Sequence, residues 1–408
     1  MKLYDELVWR GLIKDISSEE LIDKLNNGHI TFYIGTDPTA DSLHVGHLSS
    51  FLISKRLKDA GHTPILLVGG ATGLIGDPRP TTERAMISKE QVEKNINGLK
   101  NQVEKLFGFE VVNNYDWTKD INILDFLSDY GKYFNINYML DKDIIRRRLE
   151  TGITYTEFSY MILQALDFKW LHENKGVDLQ CAGSDQWGNI TAGIDLIRKS
   201  SGDTVYGFTM PLVTDSQGHK FGKTEGNALW LDKNKTSSYK LYQFFTNVED
   251  SMVIEYLKIY TFLTKEQIEK LEISNKEHPE YREAHKALAR EIITFLHGSD
   301  EWEKVQKLAS SLFKNEFTNL NKNEIEELFS SEVVKEVEVN QNLVDLLINM
   351  NIASSKREAR EFINGNAISI NGNKINNSEE VIDESYFIDN TYIIIKRGKK
   401  NYYLGRRI

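Results

Sequence analysis

The first half of the chain alternates short β-rich runs with long helical patterns, and that alternation restricts it to a parallel sheet flanked by helices. The β-rich runs are Thr31 to Gly35, Pro64 to Gly69 and Leu179 to Gly183, each followed by a helical pattern. Over Phe158 to Trp170 the residues Tyr160, Leu163, Gln164 and Asp167 recur at spacings of three and four, so they share one helix face. Polar residues dominate that face, which is unusual for one turned inward. From about Ser238 to Phe329 the strand patterns vanish, and charged amphipathic helices such as Arg282 to His297 replace them. A further change near Glu332 opens a compact final unit. It reads as two short helical segments, a β-like run Ala367 to Ile370, an Asn371-Gly372 turn and a strand Thr391 to Lys396.

At 408 residues the chain exceeds what one core supports, in keeping with several domains. Apolar runs such as Pro64 to Val68 fall far short of a membrane span. Asp5 and Glu6 stand where a secretory signal needs its apolar core, and the single cysteine, Cys181, cannot close an internal disulfide or hold a metal site. The expectation is a cytoplasmic protein with no protein-bound metal. A net charge of -10 argues against wholesale coating of nucleic acid, DNA included. The average hides a basic end: Lys396 to Ile408 holds six basic residues and no acid, with Tyr402 and Tyr403 as candidate stacking surfaces. A solvated tail is the plainer alternative.

The densest chemistry runs from Tyr33 to His47, where a strand ends, a polar turn follows and a helix opens. A helix amino terminus offers unpaired N–H groups to phosphate, and Gly46 removes the side chain that would keep a nucleotide from the backbone. His44 and His47, three apart, face the same way and can donate to oxygens as charge builds in a transition state. The alternative is a capped helix with two unrelated histidines. Lys220-Phe-Gly-Lys223-Thr224 lies in a polar, Gly-rich stretch from Asp215 to Asn227. Its two ammonium groups, beside a hinge-like glycine, could close over a triphosphate and favour the departing pyrophosphate, although such loops are usually just solvated surface.

Taken together, H-x-G-H after the first strand and K-x-G-K-T after the last resemble the paired signatures of class I aminoacyl-tRNA synthetases. The resemblance narrows to the tyrosyl-tRNA synthetases. It is carried by Tyr33-x-Gly-x-Asp-Pro-Thr-Ala-Asp-Ser-Leu-His, Val68-Gly-Gly-Ala-Thr-Gly-Leu-Ile-Gly-Asp-Pro78, Phe158-Ser-Tyr-Met-x-Leu-Gln-Ala and Gly183-Ser-Asp-Gln-Trp-Gly-Asn-Ile-Thr. Ser355-Lys-Arg-Glu-Ala-Arg360 and the final Arg-Gly-Lys-Lys are similar to the family's small RNA-binding module. The fold implied is α/β: a Rossmann-like parallel-sheet catalytic domain over 1–230, an α-helical anticodon-side domain over 231–330 and a small α+β RNA-binding module over 341–408.

The resemblance implies activation of L-tyrosine by ATP, accompanied by Mg2+, to tyrosyl-adenylate and pyrophosphate, followed by transfer to the 3' end of tRNA(Tyr). Tyr33 and Asp167 would bind the phenol, and phenylalanine would leave both buried and unpaired. Asp77, Tyr160 and Gln164 would hold the ammonium, and Gln186 the carboxylate. Gly35, Asp37, Gly46, His47, Gly183, Asp185 and Lys223 would form the ATP site. Thr39, His44, His47, Arg84, Lys220, Lys223 and Thr224 would grip the phosphates as the geometry at the α-phosphate changes. A homodimer is implied, with Arg198, Lys199 and the terminal basic residues as RNA contacts. Two departures stand out. The loop Arg79-Pro-Thr-Thr-Glu-Arg84 lacks the family's usual lysine, leaving Arg84, alone or with Arg79, to serve. Ile34 cannot offer the ribose a hydrogen bond, so nucleotide affinity is expected to be lower.

Two rival readings follow. Tryptophanyl-tRNA synthetases share the scaffold, but Tyr33 with Asp167 argues against an indole pocket. A non-charging RNA-binding relative has no use for transition-state contacts, yet His44, His47, Lys220 and Lys223 are all present.

Overall fold

The computed structural model describes residues 1–77, 88–149, 152–224, 227–330, 332–399 and 401–408. Arg79 and Arg84 lie outside the described residues, and Lys223 and Thr224 are described for their backbone alone.

A six-stranded sheet organises the first part: β1 (Asp15–Ile16), β2 (Thr31–Thr36), β3 (Thr63–Val68), β4 (Glu110–Asn113), β5 (Leu179–Gly183) and β6 (Tyr206–Met210), in the order β1-β6-β5-β2-β3-β4. Every pairing is parallel except that of β1 with β6. Strands β3 and β6 are buried almost throughout, as parallel strands covered on both faces must be. The crossovers carry helices α1 (Val45–Asp59), α2 (Lys89–Leu106), α3 (Tyr155–Lys175) and α4 (Trp187–Ser200). Strands β3 and β4 lie on one side of β2, and β5 and β6 on the other, so the winding reverses between β2 and β5. In open α/β sheets the carboxyl ends of strands at such a reversal frame a binding crevice.

Three of these strands escape the sequence reading. Strand β1 is a two-residue edge and β4 is half-exposed, so neither carries a full apolar run. In β6 the pattern is interrupted by Gly207, where any Cβ would come within 2.2 Å of Ile190 Cγ2 on α4.

The chain divides into two compact units, Met1–Thr236 with Phe245–Leu296, and Ser237–Phe244 with His297–Ile408. Within the first, the carboxyl end of α5 (Val253–Tyr260) is held by two buried arginines, Arg10 near the amino terminus and Arg56 on α1. Arg10 donates to the carbonyls of Lys258 at 3.0 Å and Leu263 at 2.7 Å, while Arg56 donates to that of Thr261. These cations satisfy carbonyls that a helix end leaves unpaired.

The second unit contains α6 (Ser299–Lys314), α7 (Leu343–Asn349) and α8 (Lys356–Asn364). Its five-stranded sheet comprises β7 (Val334–Val337), β8 (Ile368–Ile370), β9 (Asn373–Lys374), β10 (Tyr392–Arg397) and β11 (Asn401–Arg407), in the order β9-β8-β10-β11-β7. Leu343, Leu347, Ile363, Ile370, Ile393 and Ile395 form its core. Asn371 and Gly372, at φ 48° and 93°, make the tight turn between β8 and β9 that the sequence predicts.

The basic end differs from both readings offered for it. It is no solvated tail, because β10 and β11 pair along it from Tyr392 opposite Arg406 to Arg397 opposite Asn401. Nor are the tyrosines open stacking surfaces. Tyr403 packs on the core, and Tyr402 donates its hydroxyl to Asn315 Oδ1 at 2.7 Å with its ring 5.6 Å from that of Phe329.

Candidate active site

His44 caps the start of α1 and donates its backbone N–H to His47 Nδ1 at 3.3 Å. The two imidazoles stack, with centroids 3.8 Å apart. This is closer than shared facing alone requires, and it orders them: His47 lines the cavity described below, while His44 lies behind it, edge-on to Trp230.

The stretch 220–224 is brought directly onto this helix start. A Cβ on Gly46 would lie 3.4 Å from the Phe221 carbonyl oxygen, and one on Gly222 would lie 2.9 Å from the Gly46 nitrogen. Leu43 and Val45 are zipped to the chain just beyond, through Leu231 N to Leu43 O and Val45 N to Leu229 O, both at 2.8 Å. Phe221 fills an aromatic seat, with its ring 4.1 Å from that of Tyr256 and 5.6 Å from that of Tyr260 on α5. Lys220 is exposed and outside the cavity lining, and Lys223 and Thr224 open a short ribbon with Asn227–Ala228.

Beyond the carboxyl ends of β2 and β5 lies a cavity of about 300 Å³. Tyr33, Gly35, Asp37, Thr39, His47, Asp77, Tyr160, Gln164, Asp167, Asp185 and Gln186 all line it, so most of the residues singled out by sequence meet in one place. His44, Gly46 and Gly183 lie beside it rather than on its wall, and Ile34, buried on the other face of β2, is absent from the lining. Arg198 and Lys199 line a separate cavity with Tyr138 and Asp195.

At the floor, Tyr33 and Asp167 are both almost fully buried. Asp167 accepts from Asn114 Nδ2 and from Trp117 Nε1, each at 2.9 Å, yet burial pushes its carboxyl up to about 7. Burial and the neighbouring Asp167 also hold the Tyr33 phenol well above its ordinary value, so it stays a neutral hydroxyl. Tyr33 Oη, Gln164 Oε1 and Gln180 Oε1 are buried with no hydrogen-bond partner among the described residues. Orphaned polar atoms of this kind are expensive and mark a wall built for a polar ligand. Toward the mouth, Gln186 Nε2 donates to Asp77 Oδ2 at 2.9 Å, and Asn189 Nδ2 donates to Gln186 Oε1 at 2.8 Å. Carboxylates at positions 37, 77, 167 and 185 make the cavity attractive to a cation.

Sequence reasoning missed Asn114, Trp117, Thr72 and Gln180. Asn114 is the hub, since its Nδ2 donates to both Asp167 and Thr72 Oγ1 while its Oδ1 accepts from Ala71 N. Gln180 did carry a signal, as a polar side chain in the middle of an apolar strand, 2% exposed.

Comparison with known proteins agrees along the whole chain. The family of class I tRNA synthetases (W and Y) matches residues 25–314, and the tyrosine–tRNA ligase SYY-like C-terminal domain matches residues 324–405. A tyrosine–tRNA ligase of Listeria innocua is 49% identical over 99% of both chains, and one of Leuconostoc mesenteroides is 46% identical over 100% of both. Among solved structures, a C-terminally truncated mitochondrial tyrosyl-tRNA synthetase of Aspergillus nidulans superposes with a TM-score of 0.68 at 31% identity, covering 76% of this chain and 94% of that one. A tryptophanyl-tRNA synthetase of Encephalitozoon cuniculi, 16% identical with a TM-score of 0.54, shares the fold. The chain belongs to the tyrosine–tRNA ligases, within the class I aminoacyl-tRNA synthetases.

Proposed function

We propose that the cavity beyond β2 and β5 is where this tyrosine–tRNA ligase activates tyrosine. The observation that carries the reading is the buried pair at its floor, Tyr33 and Asp167, one a neutral hydroxyl and the other a carboxylate. A phenol O–H both donates and accepts, and this pair offers it one partner of each kind. The ammonium sits among Asp77, Tyr160 and Gln164, and Gln186 orients the carboxylate. ATP, arriving with Mg2+ as a substrate, lies along Gly35, Asp37, Gly46, His47, Gly183 and Asp185.

The tyrosine carboxylate oxygen attacks the α-phosphorus, the bond to the bridging oxygen breaks, and pyrophosphate leaves. No protein nucleophile takes part. Thr39, His44, His47 and Thr224 act by fixed hydrogen bonding, and Lys220, Lys223 and Arg84 by charge on the departing phosphates. A terminal ribose hydroxyl of tRNA(Tyr) then attacks the acyl carbon and AMP leaves. Residues 231–330 serve the anticodon side, and the unit after 341 holds RNA by shape and backbone. The exposed apolar side chains Ile123, Leu124, Leu127, Ile136 and Tyr155 support a homodimer, and a cytoplasmic location accompanies this role.

Amino-acid-dependent ATP–pyrophosphate exchange by the purified chain, without tRNA, tests the reading. Exchange is expected with tyrosine and not with tryptophan, and His47→Ala lowers it by about 100-fold. No exchange from a folded preparation, or exchange driven by tryptophan, sinks it.

A further inference from the structure

Trp170 lies one turn beyond Asp167 on α3 and does not line the cavity, yet its indole stacks on that of Trp117. The ring centroids are 4.1 Å apart and the planes 8° from parallel. Trp117 in turn donates Nε1–H to Asp167 Oδ1 at 2.9 Å. One turn of a long helix therefore grips the Trp117 indole twice, its N–H edge through Asp167 and its face through Trp170.

Trp117 needs this grip. It sits on a four-residue helix, Tyr115–Thr118, which is too short to hold its own geometry in water. The other donor to Asp167 is better secured, since Asn114 is also bonded to Thr72 and Ala71. Both indoles pack on the cluster that contains Tyr33, Phe168 and Leu171, so the stack lies behind the lining of the site, against the cluster that holds Tyr33.

We propose that Trp170 is a positioning residue for tyrosine recognition: its stack fixes the Trp117 indole, whose N–H aims the Asp167 carboxylate at the substrate phenol. The proposal rests on the reading that Asp167 accepts the phenol proton. An aromatic stack that served packing alone would change stability and affect both substrates alike. A positioning stack acts on tyrosine and leaves ATP untouched.

Steady-state pyrophosphate exchange by the full chain separates the two. Trp170→Ala raises the KM for tyrosine roughly 3- to 10-fold and narrows the preference for tyrosine over phenylalanine by a similar factor, with kcat and the KM for ATP nearly unchanged. Trp170→Phe, which keeps a ring face, restores most of the loss. Trp170→Leu, which keeps volume without a ring, behaves like Trp170→Ala and stands in for it should the alanine variant fail to fold. The double variant Trp117→Phe/Trp170→Ala has a tyrosine KM no higher than Trp117→Phe alone, because the N–H through which Trp170 acts is already gone. Additive losses, an equal rise in the KM for ATP, or no rescue by phenylalanine would overturn the proposal. Asp167→Asn, measured alongside, identifies a failure at the earlier step: an unchanged tyrosine KM in that variant overturns the reading on which the proposal rests.

Discussion

Gly222 rests directly against Gly46, so that a Cβ built on Gly222 would lie 2.9 Å from the Gly46 backbone nitrogen. The two glycines come from the two signature stretches, and their contact holds 220–224 over the amino terminus of α1, where phosphate is favoured. Gly222 also has φ 83°, which an L side chain adopts at a penalty of about 1 kcal/mol. Gly222→Ala is expected to lower kcat for pyrophosphate exchange by at least about 10-fold, with the equilibrium affinity for tyrosine little changed. Paired exchange kinetics and tyrosine titration check this.

Tyr33 carries a buried hydroxyl with no partner among the described residues. Removing it relieves the free protein of an unsatisfied group and deprives the substrate phenol of a partner. Tyr33→Phe is expected to leave stability unchanged or raise it by up to about 1 kcal/mol, while kcat/KM for tyrosine falls about 5-fold. Denaturant unfolding beside exchange kinetics tests both signs at once.

Asp167 gives stability and binding opposite pH trends. Its folded carboxyl is pushed up to about 7 by burial, whereas an unfolded carboxyl titrates near 4. Between those values the folded chain keeps a proton that the unfolded chain has lost, so this group's contribution to stability falls as pH rises from about 4 to about 7 and is level beyond. Tyrosine, however, needs the ionised acceptor, so its affinity for the free protein weakens as pH drops below about 7. Asp167→Asn should flatten both trends. Melting temperatures and tyrosine titrations between pH 5 and 8 for the two proteins provide the test.

Gly372 sits at φ 93°, and any Cβ there would lie 1.7 Å from the Asn315 carbonyl oxygen. Gly372→Ala should therefore disrupt the small terminal sheet. Pyrophosphate exchange is expected to be unaffected, while charging of tRNA falls by about 10-fold or more. Equal losses in both assays would argue against a separate RNA-holding role for this unit.

Much of the site is legible because its signals are local. The spacing of Tyr160, Gln164 and Asp167 places them on one face whatever α3 packs against, and that face lines the cavity. The helix start at His44 and the Asn371-Gly372 turn are likewise set by residues a few positions apart. The Trp117 and Asn114 contacts to Asp167 are not legible in this way, because they join residues 50 and 53 positions apart through the fold of β4 against α3. The same holds for Tyr402, whose partner Asn315 lies 87 positions away and turns a basic, aromatic end into a docked strand.

The most direct test of the account is calorimetric titration of tyrosine and of phenylalanine into the ligand-free chain and into the Tyr33→Phe/Asp167→Asn double variant. The account predicts that the wild type binds phenylalanine at least about 100-fold more weakly than tyrosine, because phenylalanine leaves both polar groups buried and unpaired, and that the double variant loses most of this gap. A wild type that binds the two amino acids within a few-fold of each other, or a double variant that keeps the full discrimination, would contradict it.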